Sequence, residues 1–319
     1  MPKRYVFFTA LSYAYPIYRP LQEAIRARGD EVAWFLEGEC PDLLKPDEIR
    51  LHTINDVIEY NPLAIFACGN IIYHFLPGIK VSVFHGYPIG KRGEKSSATD
   101  DHFSIRGWFD MYCTQGPSST EYFKQLEAKH QFFKVYQTGW AKVDDYFSSY
   151  KKENDVPTIL YATTFSKGIT SAPVLVDTIS RLVKEKKWNW RLTFHPKLND
   201  QALLNRYRVL ADENSNVTFV DNVRLEDFQQ SDVMLCDSSS IILEFMMMNK
   251  PVVTYRNTNP GQHLLNVTEV SEVENAIETA LTRPASLMKE VNDFAHYHEA
   301  YRDGHNCKRI LDAVDDFNS

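Results

Sequence analysis

Short apolar runs of strand length recur along this chain, and most lead into a longer stretch with apolar residues at helical spacing. That rhythm constrains the fold more than any single motif. A short apolar run bounded by turn residues reads as a buried strand. Strands that alternate with helices build parallel sheets, because parallel neighbours need a crossover connection. Residues 5–9, 31–36, 63–68, 80–84, 110–114 and 133–137 are predicted strands. A helix is predicted over 16–28, with Leu21, Ala24 and Ile25 on one face and Gly29 at its end. Another opens at Gly116-Pro117-Ser118-Ser119 and runs to Lys129.

The rhythm breaks at residues 148–157, which are polar and charged and form the expected linker. It restarts with strands at 158–163, 190–194 and 217–220 and helices at 173–187 and 201–213. The next stretch reads as strand, turn, helix, strand. Val233 to Cys236 is the strand, and Asp237-Ser238-Ser239-Ser240 the turn. A helix follows from Ile241 until Lys250-Pro251 stops it, and Val252 to Tyr255 is the second strand. Asp and Ser are cap-forming residues, and a helix start offers backbone N–H groups to an anion. An ordinary capped turn has the same composition, so this stretch alone does not define a site. A helix is expected at 273–281, and 285–317 reads as helical with a break at Asp303-Gly304. The expectation is an α/β protein with two doubly wound, Rossmann-like domains, 1–150 and 151–300, facing a cleft. Residues 301–319 form a last helix that packs back on the first domain. In open α/β sheets, ligands sit beyond the carboxyl ends of the strands.

The 319 residues, 44% hydrophobic and 24% charged, are ordinary globular usage and suit two domains. A formal net charge of −7 argues against a general nucleic-acid binder. Cys40, Cys68, Cys113, Cys236 and Cys307 are odd in number and never in CxxC spacing. Buried thiols in a reducing compartment fit that pattern better than disulfides or zinc. The N-terminus is basic then apolar, but the run breaks at Thr9, so no signal peptide is expected. No run approaches a membrane-spanning length. These features predict a soluble cytoplasmic protein.

The carboxyl-end rule selects four places: Thr163-Thr164, His85-Gly86, His195-Pro196 and Asp237 to Ser240. His85 lies in a loop with Gly86, Pro88, Gly90 and Gly93, where Lys91 and Arg92 add positive charge. A loop histidine has the pKa range of a general base, and cations beside it suit a phosphate. Pro196 holds His195 extended, where its ring could donate to a phosphoryl oxygen. Either histidine could instead be a local hydrogen-bonding residue. His296 and His298 are two apart and make a poor metal pair. HExxH, GxGxxG and GxxxxGK[ST] are absent, and no cofactor or metal is expected. Met246-Met247-Met248 and the Trp188/Trp190 pair read as packing.

Six segments taken together resemble the CDP-glycerol glycerophosphotransferases, the teichoic-acid primase and polymerase family. Phe84-His85-Gly86-Tyr87-Pro88-Ile89-Gly90-Lys91 is similar to its HG-x-P-x-x-K loop, and Thr138 to Asp144 to its G-x-P-R-x-D turn. Leu160 to Phe165 resembles Y-A-P-T-W, and Phe194-His195-Pro196 the second HP. Cys236 to Glu244 resembles D-x-S-S-x-x-x-D/E, and Arg302 to Ile310 the closing D-G-x-A-S-x-R. Ala141-Lys142 stand in place of Pro-Arg, Thr163 and Phe165 in place of the Pro and Trp of Y-A-P-T-W, and Asn306-Cys307 in place of Ala-Ser.

The resemblance implies a GT-B architecture, with an acceptor domain followed by a nucleotide-donor domain. It implies transfer of glycerol phosphate, or a related alditol phosphate, from a CDP-activated donor. The acceptor would be a hydroxyl of a cell-surface glycan or its lipid-linked precursor, reached through transient contact with the inner face of the membrane. His85 would be the general base and His195 a donor to the phosphates. Thr163, Thr164, Asp237, Ser238, Ser239 and Ser240 would hold the donor, with Glu244 at its ribose. Gly86, Lys91 and Arg92 would form the acceptor or phosphate loop. Arg309 would pair with phosphate or with a local carboxylate such as Asp303 or Asp312. A nucleotide-sugar glycosyltransferase of the same architecture and a catalytically silent nucleotide-binding protein are the alternatives.

Overall fold

The computed structural model is described over residues 1–87, 105, 108–147, 155–221 and 223–319. The chain divides into two compact units. Among the described residues, the first contains 1–87, 105, 108–147 and 296–319, and the second 155–221 and 223–295.

The first unit is built on seven parallel strands: β1 (Arg4–Thr9), β2 (Glu31–Leu36), β3 (Ile49–Leu51), β4 (Ala64–Ala67), β5 (Ile79–Ser82), β6 (Met111–Thr114) and β7 (Lys134–Gln137). Their order is β3-β2-β1-β4-β5-β6-β7. The helices are α1 (Tyr15–Ala27), α2 (Ile54–Tyr60) and α3 (Pro117–His130). Tyr5 to Thr9 are all buried, as expected of a parallel strand covered on both faces. Val6 and Phe8 pack with Phe35, Val57 and Ile65 on one side. On the other, Phe7 stacks on Tyr18 of α1 at 4.6 Å and meets Trp34 edge-on at 4.9 Å. Each such side chain withdrawn from water contributes about 1.5–3 kcal/mol. α1 ends at Gly29, whose φ of +76° lets its N–H reach Arg26 O at 2.9 Å and Asp30 N–H reach Ile25 O at 3.2 Å.

The second unit repeats the plan with six parallel strands: β8 (Thr158–Thr163), β9 (Asn189–Phe194), β10 (Val217–Val220), β11 (Val233–Cys236), β12 (Val252–Tyr255) and β13 (Leu265–Val267). Their order is β10-β9-β8-β11-β12-β13. Its helices are α4 (Ala172–Glu185), α5 (Gln201–Glu213), α6 (Leu225–Gln230), α7 (Ile241–Met246), α8 (Val273–Leu281) and most of α9 (Ala285–His298), whose last three residues belong to the first unit. The chain then returns to the first unit, where α10 (Asn306–Asn318) packs on α1. There Asp315 pairs with Lys3 at 2.7 Å and with Arg28. The Lys250 ammonium donates to the carbonyls of Phe228, Gln229 and Ser231 at 2.6–2.8 Å. A cation at those last carbonyls satisfies the end of α6 and seats the start of β11. Trp188, Trp190, Met246 and Met247 are core residues, and four of the five thiols, all but Cys40, are buried.

Both sheets are doubly wound. The strand order reverses between β1 and β4 in one and between β8 and β11 in the other, and these are the switch points where such sheets bind ligands. The sequence pattern matched β2, β8, β10, β11, β12, α5 and α8 at both ends. It missed β3, α2, α6 and β13, which have three to seven residues each and carry too little periodicity. Most other boundaries shift by one or two residues, and two differ by more. α7 stops at Met246 because Met248 and Asn249 turn back onto the carbonyls of Phe245 and Met246, and Asn249 takes a left-handed φ of 54°. The final helical stretch is two helices, α9 and α10, so its break is wider than Asp303-Gly304.

Candidate active site

At the switch point of the second sheet, the loop after β8 meets the turn after β11. Asp237 joins them. Its carboxylate is fully buried and accepts from Thr164 N at 2.9 Å, Ser171 N at 2.9 Å, Ser171 Oγ at 3.1 Å and Ser238 N at 2.8 Å. Burial pushes the Asp237 carboxyl up, and the donors pull it back. The Ser171 hydroxyl gives its proton to Asp237, so Tyr161 OH is the donor in its 3.0 Å bond to Ser171 Oγ. The sequence suggested that Asp237 and the serines cap a helix. One of those serines, Ser240, is the N-cap of α7 but makes no side-chain cap bond, and the Asp237 carboxylate is committed instead to Thr164, Ser171 and Ser238.

The loop after β12 locks onto the same turn. Thr258 N donates to Ser238 Oγ at 2.8 Å, and Asn257 Nδ2 donates to Asp237 O at 2.6 Å. Ser239 is half-buried, Ser240 exposed, and Glu244 half-buried on the first turn of α7. Thr164 is buried beside them, and the buried Thr163 Oγ1 has no hydrogen-bond partner.

His195 follows β9. Its Nδ1 accepts from Lys197 N at 3.1 Å. A ring nitrogen that accepts has no proton, so the neutral ring carries its proton on Nε2 and presents a donor there. The ring lies 4.4 Å from Phe165, tilted 39°, and Lys197 Nζ sits 5.6 Å from the centroid of the same phenyl ring.

His85 follows β5 in the first unit and has the opposite polarity. Its Nδ1 is 3.1 Å from Cys68 O. A carbonyl oxygen can only accept, so Nδ1 carries a proton, and in the neutral ring Nε2 keeps its lone pair. Cys68 follows β4, so this bond draws the exposed imidazole to the switch point of the first sheet. The Tyr13 ring, beyond the end of β1, stands 5.4 Å away. Phe84 takes a left-handed φ of 55° to present the ring, a conformation costing a non-glycine residue about 1–3 kcal/mol. Trp140 Nε1 donates to Phe84 O at 3.2 Å and Gln115 Nε2 to Gly86 O at 2.7 Å, bracketing His85.

Lys91 and Arg92 lie outside the described residues. Arg309 pairs with Asp303 at 2.8 Å and lies over the Tyr301 ring at 3.9 Å. It therefore has the local carboxylate, one of the two partners the sequence left open. Asp303 is held down to about 2 by that guanidinium. His298 bonds Ser118 Oγ through Nδ1 at 2.9 Å. Among the described residues, no group of three or more His, Cys, Asp or Glu side chains could hold a metal ion. None of their helices is long and apolar enough to cross a membrane. Sequence reasoning missed Cys68 O, Lys197 N, Ser171, Asn257 and Tyr13. The first two are backbone groups without a side-chain signature, and the others act through contacts distant in sequence.

The sequence model of the UDP-N-acetylglucosamine 2-epimerase family matches residues 162–315. A search of curated proteins found no match. Among solved structures, the wall teichoic acid polymerase TagF is similar over 99% of this chain and 89% of its own, at 12% identity and a TM-score of 0.70. A variant of it soaked with CDPG has a TM-score of 0.62 at 15% identity, with 99% and 88% covered. A UDP-N-acetylglucosamine 2-epimerase is similar over 100% of this chain and 97% of its own, at 16% identity and a TM-score of 0.65. S. aureus MnaA bound to UDP matches over 99% and 97%, at 16% identity and a TM-score of 0.64. The two Rossmann-like units and these likenesses give the GT-B fold.

Proposed function

We propose that this protein is a transferase that moves glycerol phosphate, or a related alditol phosphate, from a CDP-activated donor to a glycan hydroxyl. One observation carries the reading: two histidines at the carboxyl ends of the two sheets are held in opposite neutral tautomers, Nδ1–H in His85 and Nε2–H in His195. Transfer of this kind requires both. His85 Nε2 takes the proton of the acceptor hydroxyl, whose oxygen forms a bond to the phosphorus bearing the glycerol. The bond from that phosphorus to the CMP oxygen breaks, and His195 Nε2–H stabilises charge on the departing phosphate. Base catalysis of this sort contributes about 10²–10⁴-fold and a placed donor about 10²–10³-fold.

In the second unit, Ser239 and Ser240 hydroxyls and Thr164 are the proposed phosphate contacts, with Glu244 at the ribose. Asp237 braces the loops that carry them. Arg309 is proposed as a phosphate contact only if it leaves Asp303. The acceptor is a glycan or a lipid-linked glycan, with transient contact at a membrane surface. The likeness to TagF, and to its variant soaked with CDPG, supports a CDP donor.

A second reading has its own support: residues 162–315 match the 2-epimerase family, and MnaA binds UDP. The same unit would then hold a UDP-sugar for inversion at a ring carbon. The test is incubation with CDP-glycerol, CDP-ribitol and UDP-N-acetylglucosamine in D₂O, followed by mass spectrometry. CMP release with an acceptor present supports transfer. Deuterium uptake into an epimerised UDP-sugar, without CMP release, would replace it with the epimerase reading.

A further inference from the structure

The loop that presents His85 is held by a buried carboxylate from the far end of the chain. Glu299 lies just past α9, in the segment that has returned to the first unit, and is fully buried. It accepts from Tyr87 OH at 2.8 Å, from Trp140 N at 3.1 Å and from Asn306 Nδ2 at 3.2 Å. Tyr87 is two residues after His85, and Trp140 is the residue whose indole N–H holds Phe84 O. The Tyr87 and Trp140 rings also meet edge-on at 5.1 Å. One carboxylate therefore grips both sides of the histidine.

The surroundings are shaped to admit nothing larger. A Cβ on Gly139 would lie 2.2 Å from Asn306 Oδ1 and 2.5 Å from Glu299 Oε1, and its φ is +78°. A Cβ on Gly116 would lie 2.6 Å from the His298 carbonyl. Ala300 N donates to Gln115 O at 3.1 Å, which steadies the glutamine that holds Gly86 O. Burial pushes the Glu299 carboxyl well up and the Tyr87 and Trp140 donors pull it back, so removing any of these donors disturbs the group that ties them together.

We propose that Glu299 is a positioning residue, which through Tyr87 and Trp140 fixes the 84–87 loop so that His85 keeps its bond to the Cys68 carbonyl and its Nε2 lone pair outward. The inference rests on the reading of His85 as the base. It extends that reading by making the C-terminal segment part of the catalytic apparatus.

The test uses histidine ¹⁵N spectra together with turnover, in Tyr87→Phe and Glu299→Gln. Tyr87→Phe removes the tie without opening the carboxylate's pocket, so it keeps the test decisive where Glu299→Gln unfolds. Wild type should show His85 as a single Nδ1–H tautomer. Tyr87→Phe should show a tautomer mixture at His85 with His195 unchanged. Its kcat should fall about tenfold with KM and nucleotide affinity preserved. A single, unchanged His85 tautomer in Tyr87→Phe overturns the proposal. The spectra do not depend on the reaction, so an incorrect substrate assignment leaves them readable.

Discussion

His85 and His195 are the same residue type at the same kind of place, the carboxyl end of a parallel sheet, yet their rings are held with opposite polarity. The difference lies in one backbone group. Opposite Nδ1 of His85 stands the Cys68 carbonyl, and opposite Nδ1 of His195 stands the Lys197 amide. The carbonyl forces a proton onto Nδ1 and leaves Nε2 basic, whereas the amide takes the Nδ1 lone pair and leaves Nε2 a donor. The supports differ too. His85 is held by contacts long in sequence, from Cys68, Gln115, Trp140 and, through Tyr87, Glu299. His195 has its Nδ1 bonded within its own loop and the Phe165 ring beside it. The first unit fixes one imidazole through several distant contacts, and the second braces three loops through Asp237.

The comparison can be broken first by turnover. His85→Ala should lower turnover by about 10²–10⁴-fold. His195→Ala should cost about 10²–10³-fold. Equal, small effects in a steady-state CMP-release assay would remove the division of labour.

A smaller effect concerns the brace in the second unit. Asp237→Asn sets an amide NH₂ against N–H donors from Thr164, Ser171 and Ser238. It should destabilise that unit by about 2–3 kcal/mol, read from urea unfolding. Unchanged unfolding would mean that the loops do not depend on this carboxylate.

The smallest effect is one of pH. Burial lowers His263 from its usual 6.5 to about 4, while its ring stacks on Phe294 at 3.6 Å. The native state favours the neutral ring, and the unfolded chain binds the proton between those two values. The contribution is therefore full above about pH 6.5 and lost as pH falls towards 4, and solvent screening of the partly exposed ring keeps it small. His263→Phe keeps the stack and should flatten the pH dependence of the urea midpoint in that window. A slope equal to wild type would locate the titration elsewhere.

Much of this architecture is legible in the sequence, because parallel strands buried on both faces leave short apolar runs such as 158–163 and 233–236. The carboxyl-end rule likewise brings Thr164 and Asp237 to one switch point, where the structure joins them at 2.9 Å. What sequence could not supply is direction. Asp237 looks the same whether it caps a helix or braces a loop, and the two histidines look alike until the backbone group facing each Nδ1 is known. Glu299 carries no motif, since its meaning comes from Tyr87, Trp140 and Asn306, which only the fold brings together.

The most direct measurement is calorimetric titration of CDP and UDP into wild type, His85→Ala and His195→Ala. His195→Ala should weaken binding about tenfold or more, by loss of a charge-assisted hydrogen bond to phosphate, and His85→Ala should bind as wild type does. Equal weakening in both variants, or weakening in His85→Ala alone, would contradict the assignment of base to one unit and phosphate donor to the other.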